Sequence, residues 1–324
     1  MLRACSIITL VFAALTVHLP NVHPATKIPR IGVLLLSDGR GAPMEGFRQG
    51  LNELGYVEGQ NIFIERRFAK GNRERLSQLA AELVDNRVNL ILTAGTAQAQ
   101  AIRQASTTIP IVLAISGDPV AIGLAASLAR PGGNVTGLSM ISPELSGKRL
   151  ELLKEAAPNS SRIGVLWDGM VPENRFDFHT MQVAAASIGL KLESLQIGAA
   201  DDLEAAFSIA ARNRLNALVV VGGGVLNRQK KRILAFEMRN RLPTMHEQLD
   251  FAESGGLMAY GVNIGEMFRR SAAYVDKILR GAKAGELPVE QPKKFELLIN
   301  LKTAKQIGVM IPPTVLARAD KVIK

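Results

Sequence analysis

The stretch Arg30-Ile31-Gly32-Val33-Leu34 recurs as Arg162-Ile163-Gly164-Val165-Leu166. Each copy is a short apolar run of the kind that a parallel sheet buries on both faces. The surroundings repeat as well. After the first copy, Pro43 opens a helix with Met44, Phe47, Leu51 and Leu54 on one stripe, closed by Gly55. A strand is expected at 62–68, a helix carrying Leu76, Leu79, Ala80 and Leu83, a strand at 88–93, a helix at 96–105 and a strand at 109–116. After the second copy the alternation restarts. A strand at 190–197 leads to a helix capped by Asp201 and Asp202, with Leu203, Ala206, Phe207 and Ala210 on one face; a strand at 215–221 and a helix at 225–241 follow.

Strand–helix alternation requires right-handed crossovers and parallel pairing. The expected class is therefore α/β: two doubly wound, Rossmann-like lobes with parallel sheets. Residues 129–137, Ala-Arg-Pro-Gly-Gly-Asn-Val-Thr-Gly, read as the joint between them. Further on, Asn263 caps a helix with Glu266 three residues later, its stripe running through Ile264, Met267, Phe268, Ala272, Val275, Ile278 and Leu279 to a stop at Gly281. An apolar strand follows at 295–299. A lone helix and a lone strand need existing sheets to pack on, so the helix is expected to return to the first lobe and the strand to the second. Several crossings make a hinge. The expected division is a signal segment at 1–26, lobe I at 27–140 and 258–291, and lobe II at 141–257 and 292–324.

Composition narrows the function classes. Of the 324 residues, 47% are hydrophobic and 21% charged, which excludes a disordered chain. The single cysteine, Cys5, excludes an intramolecular disulfide framework and cysteine-clustered metal sites. The net charge of +10 is spread along the chain rather than gathered into runs, so nucleic acid is not expected as a partner. Arg3, an apolar run at 7–19 and then Pro20-Asn21 follow the order of a secretory signal, and the run is too short to span a bilayer. Cys5 precedes the apolar core, whereas a lipid-anchored cysteine follows it. The expectation is a periplasmic protein, exported with its signal removed.

In open α/β sheets ligands bind beyond the carboxyl ends of the strands. Here those ends are Ser37-Asp38-Gly39, Ala94-Gly95-Thr96-Ala97 and Ser116-Gly117-Asp118-Pro119 in the first half, and Trp167-Asp168-Gly169 and Gly222-Gly223-Gly224 in the second. All but Trp167 are small, polar or glycine-rich, leaving backbone N–H groups and helix N-termini open to a ligand. Thr96 and Asp118 each stand where a helix begins, as N-caps or as ligand contacts. As contacts, Thr96 and its neighbouring amides would hold a carboxylate, and Asp118 an amine or hydroxyl. Trp167, the sole tryptophan, is either core or the aromatic wall of a pocket. Tyr260, near a further crossing, completes the candidate set.

Enzyme signatures are missing. Gly222-Gly223-Gly224-Val225-Leu226-Asn227 lacks the third glycine of a dinucleotide loop, and Gly147-Lys148-Arg149 lacks the rest of a P-loop. No Gly-x-Ser-x-Gly elbow is present. His179 lies among polar residues; His246 follows an expected strand and can approach the cleft. The expectation is no enzyme, no metal and no cofactor.

Several motifs carry a resemblance. Gly117-Asp118-Pro119-Val120, the run Ser127 to Gly137, Gly147-Lys148-Arg149-Leu150-Glu151-Leu152-Leu153-Lys154, Leu54-Gly55-Tyr56-Val57-Glu58-Gly59-Gln60-Asn61 and Lys294 to Lys302 resemble a bacterial ABC transporter substrate-binding family. The resemblance implies a type I periplasmic binding fold and capture of a small molecule, such as an amino acid or small organic acid. Delivery would be to an ABC permease and its ATPase, by a monomer. It also implies Thr96, Gly117 and Asp118 as first-lobe ligand contacts. Some relatives are linked to aromatic amino acids and place a His-Pro pair after the first strand, where this chain has Ser37-Asp38-Gly39. A ligand-sensing subunit of a periplasmic receptor is the second reading.

Overall fold

A computed structural model describes residues 28–140 and 143–324, with the side chains of 143 and 144 left out. The expected signal segment, with Cys5, lies outside the described residues. The first lobe runs β1 (Arg30–Leu35), α1 (Ala42–Glu53), β2 (Phe63–Phe68), α2 (Leu76–Asp85), β3 (Leu90–Ala94), α3 (Thr96–Ala105), β4 (Ile111–Ile115) and β5 (Val135–Gly137). These strands form a five-stranded parallel sheet in the order β2-β1-β3-β4-β5.

The second lobe opens with α4 (Pro143–Ala156), then β6 (Arg162–Asp168), α5 (Pro172–Ser187), β7 (Lys191–Ile197), α6 (Asp202–Arg212) and β8 (Ala217–Val220). It continues through α7 (Gly224–Arg228), α8 (Lys230–Arg239), β9 (Thr244–His246), α9 (Leu249–Glu253) and β10 (Met258–Gly261). The chain returns to the first lobe as α10 (Ile264–Leu279) and ends in the second as β11 (Glu296–Asn300), α11 (Leu301–Ile307), α12 (Pro313–Leu316) and β12 (Lys321–Ile323). The second sheet has seven strands, ordered β12-β11-β10-β9-β8-β6-β7.

The repeated pentapeptide occupies the same station twice. β1 lies between β2 and β3, and β6 between β7 and β8. Ile31, Val33 and Leu34 are fully buried, as are Ile163, Val165 and Leu166. Alternate residues of β1 feed opposite faces: Ile31 and Val33 join Phe47 and Phe268, while Leu34 joins Leu79, Leu83 and Ile102. This two-sided burial is what the unbroken apolar run encodes.

The returning helix α10 packs beside α1. A Cβ on Gly46 or Gly50 would strike the carbonyls of Gly265 or Arg269, so these two glycines set how closely the helices approach. The Asn263 cap forms as its sequence implies, accepting the Glu266 amide at 3.1 Å. A bridge between Leu138 and Glu290 ties the outgoing chain to the returning one beside β5.

Four details differ from the sequence expectations. The joint at 129–137 contains a strand, β5, because Val135 and Thr136 are buried against β4; the crossing comes after it. Met258–Gly261 belongs to the second sheet, paired with β9 and β11, so the chain crosses after Gly261 rather than before 258. The second sheet is not wholly parallel, since β11 enters from the opposite direction and runs antiparallel to β10. The helix at 225–241 is two helices, broken at Gln229.

Candidate functional site

The carboxyl ends of both sheets face one cleft, and side chains bridge it directly. Thr96, the first residue of α3, is 9% exposed and donates its hydroxyl to Glu173 Oε1 on α5. The other carboxylate oxygen, Glu173 Oε2, is buried and has no hydrogen-bond partner. Gly117 faces the same carboxylate, and a Cβ there would overlap the Glu173 side chain. Leu36, at the end of β1, lies against Gly224. Arg73, on a short 3-10 turn after β2, donates to the Met170 carbonyl at 3.0 Å.

On the first-lobe wall, α3 begins without a side-chain cap. Gly95, with φ 98°, takes the N-cap position, and the Ala99 amide is bonded to its carbonyl at 3.3 Å. The amides of the first turn carry the positive end of the helix dipole and favour an anionic group. Ala97 is half-buried beside Thr96.

On the second-lobe wall the side chains are acidic around one buried cation. Arg149, on α4, is 3% exposed; its Nε donates to the Tyr260 carbonyl at 2.9 Å, and its other nitrogen lies 3.4 Å from Glu247 Oε1. Glu247 Oε2 accepts the Gly222 amide. Asp177, one turn along α5 from Glu173, accepts from Ser146 at 3.3 Å. Burial, aided by the charges of Glu247 and Glu173, pushes the Asp177 carboxyl up to about 6, against the opposing pull of Arg149 and Ser146.

The sequence candidates divide. Thr96, Ala97 and Gly117 stand together on the cleft wall. Asp118 does not begin a helix as expected: the chain after it is a turn, and its Oδ1 closes that turn by accepting the amides of Val120 at 2.9 Å and Ala121 at 3.0 Å. Ser37 and Asp38 are exposed and close their own loop, accepting from the amides of Gly39 and Arg40. Asp168 is 1% exposed and holds scaffold amides, Met170 at 2.9 Å and Val225 at 3.4 Å, with Arg73 at 3.8 Å across the cleft. Gly223 packs against Asp168. Tyr260 contributes its carbonyl to Arg149 while its ring leans on Phe295. Trp167 is core, stacked on Phe178 with its indole N–H bonded to Ser194 at 2.9 Å. His246 is fully buried 3.2 Å from Glu237 and does not reach the cleft.

Sequence reasoning missed Arg73, Arg149, Glu173, Asp177 and Glu247. Two had a readable signal. Arg149 sits on the stripe of Leu145, Leu152 and Ala156, and Asp177 on that of Asn174, Met181 and Ala185; both stripes are otherwise buried. A charge inside a buried stripe needs a partner, and here the partners lie at the cleft.

The model of the ABC transporter substrate binding protein family matches residues 30–323. The tyrosine-binding protein of Clostridioides difficile (strain R20291) is 26% identical over 266 residues, covering 82% of this chain and 76% of that protein. A conserved domain protein from Vibrio cholerae superposes with a TM-score of 0.86 at 29% identity, covering 91% of this chain and all of that one. An ABC domain in complex with L-Trp from Streptococcus pneumonia superposes with a TM-score of 0.85 at 24% identity, covering 92% of this chain and all of that one. The two-lobed α/β architecture is that of type I periplasmic binding proteins. The family match spans nearly every described residue, and this chain belongs to the ABC transporter substrate-binding protein family, whose members capture a solute for an ABC importer.

Proposed function

We propose that this protein is the exported, amino-acid-binding subunit of an ABC importer, holding its ligand as a zwitterion between the lobes. The observation that carries this reading is the pairing of Thr96 with Glu173. An uncapped helix N-terminus on one lobe directly faces a carboxylate on the other. The ligand carboxylate takes the α3 amides and the Thr96 hydroxyl. Its ammonium takes Glu173, with Asp177 and Glu247 behind it. Arg149 pairs with Glu247, one of three carboxylates, so a cationic group completes the charge balance.

The names of the relatives agree with this class, one a tyrosine-binding protein and one a complex with L-Trp. Among the described residues no helix is long and apolar enough to cross a membrane. Residues 1–26 direct export and are removed, and the mature protein works as a monomer, handing its ligand unchanged to the permease and its ATPase.

Mass spectrometry of small molecules released from the purified protein tests the assignment, followed by calorimetric titration with the twenty amino acids. Recovery of an unmodified amino acid that rebinds is the expected result. A recovered ligand without an amine removes the ammonium assignment. N-terminal sequencing of exported protein tests the leader, which is lost within about 18–26 residues of Met1.

A further inference from the structure

The first lobe carries a second bridge, at the edge of the cleft farthest from the chain crossings. β2 is one edge of the five-stranded sheet and β5 the other. The crossings follow β5 and β10 and precede β11, whereas Arg73 follows β2. In the second sheet Asp168 ends β6 and Met170 follows it, beside the edge strand β7, while β10 and β11 lie toward the opposite edge. Arg73 therefore closes the cleft where the lever arm from the hinge is longest.

The loop that presents Arg73 is built. Ala69 and Gly71 donate to the carbonyls of Leu35 and Leu36 at 2.9 and 2.6 Å, and Asn72 donates back to Ala69 at 3.0 Å. Lys70 (φ 51°) and Gly71 (φ 86°) both take left-handed backbone, which turns the chain over the mouth. Asn72 caps the 3-10 turn, accepting the Glu74 amide at 3.0 Å. Across the gap, Arg228 lies so close to Gly71 that a Cβ there would touch its guanidinium. The Arg73 guanidinium donates to the Met170 carbonyl at 3.0 Å and stands 3.8 Å from the buried carboxylate of Asp168. Asp168 is itself fixed by the Met170 and Val225 amides, so the receptor for Arg73 is rigid.

We propose that Arg73 is a positioning residue for solute capture: a clasp at the free edge of the cleft that holds the lobes together before any ligand contact is counted. The contact breaks early in any hinge rotation, because displacement grows with distance from the hinge. A charged hydrogen bond of this kind shifts the closed-to-open ratio roughly tenfold. The effect does not depend on what the ligand is.

The test is an interlobe distance measured without added ligand. Val120 on the first lobe and Phe176 on the second are both exposed. Full-length protein carrying Cys5→Ser, Val120→Cys and Phe176→Cys, purified through unfolding and refolding to remove bound solutes, is spin-labelled for electron–electron double resonance. The expected result is a predominant short distance with Arg73 in place, about a tenfold fall in the short-to-long ratio in Arg73→Met, and an intermediate fall in Arg73→Lys. Arg75→Met, the exposed neighbour on the same turn, leaves the distribution unchanged. Identical distributions for Arg73 and Arg73→Met overturn the proposal. So does a reference protein with no short-distance population, or an equal opening by Arg75→Met.

Discussion

Thr96 and Glu173 belong to different lobes and share one hydrogen bond across the cleft. Thr96 begins a helix whose own cap is a glycine, so its hydroxyl is free to reach outward rather than fold back on the backbone. Glu173 begins α5, and only one of its two oxygens has a partner. Closing the lobes brings a helix N-terminus to a carboxylate, with Gly117 beside them leaving the space that a side chain would take.

Glu173→Gln preserves shape and keeps an acceptor for Thr96, but removes the charge. Breaking one side of a desolvated charge pair costs about 2–5 kcal/mol, and about 1.4 kcal/mol is tenfold in affinity. Affinity for the amino acid recovered from the protein is expected to fall from roughly 30-fold to several-thousand-fold. Calorimetric titration checks it. Retained affinity in a folded variant assigns the ammonium to another group.

Asp118 is expected to close its turn and not to contact the ligand. Asn closes such a turn as Asp does, so Asp118→Asn leaves ligand affinity within about threefold and stability within about 0.5 kcal/mol. Asp118→Ala removes the acceptor of two amides and loses about 0.5–1.5 kcal/mol of stability. Parallel denaturation and titration separate the two effects. A large loss of affinity in Asp118→Asn restores the charge to ligand recognition.

Why the fold was legible and the site only partly so comes down to range. Burial on both faces of β1 and β6 forces, after the exposed Arg30 and Arg162, an apolar run whose neighbours cannot change the signal. The Asn263 cap and the Gly281 stop are local in the same way. β5 escaped notice because three residues against an edge carry little pattern, and the Pro/Gly-rich run ahead of it reads as loop. Thr96 and Gly117 could be nominated because strand ends are identifiable locally. Glu173, Glu247 and Arg73 were not, since their roles arise from partners on other elements: Thr96, Arg149 and Met170. Asp118 and Trp167 show the converse. A polar residue at a strand end and an aromatic before it are engaged by the scaffold, Asp118 Oδ1 by the Val120 amide and the Trp167 indole by Ser194 on the neighbouring strand β7.

Gly117→Ala tests closure without touching charge. The added methyl group meets Glu173 only when the lobes are together. Overpacking of this kind costs about 1–3 kcal/mol, which predicts roughly 5- to 150-fold weaker binding. Small-angle scattering at saturating ligand reports a larger radius of gyration than the parent protein. Unchanged affinity and radius place Glu173 elsewhere in the bound state.

The last prediction concerns proton linkage at Asp177. Its carboxyl is raised from about 3.8 in the unfolded chain to about 6 in the folded one, first by burial and then by Glu247 and Glu173. Between these values the folded state binds more protons than the unfolded state, so stability falls as pH rises through that window. Below the lower value the contribution is fully present; above the upper value it is gone. Asp177→Asn removes the ionisation, and is expected to raise stability at pH 7.5 by about 1–3 kcal/mol while changing little near pH 4. An ammonium bound beside Asp177 favours its ionised form, so the parent protein's affinity for an amine-bearing ligand rises as pH climbs through about 6. In Asp177→Asn that rise flattens. Chemical denaturation and titration from pH 4 to 8 measure both curves, and a variant as pH-dependent as its parent locates the titrating group outside Asp177.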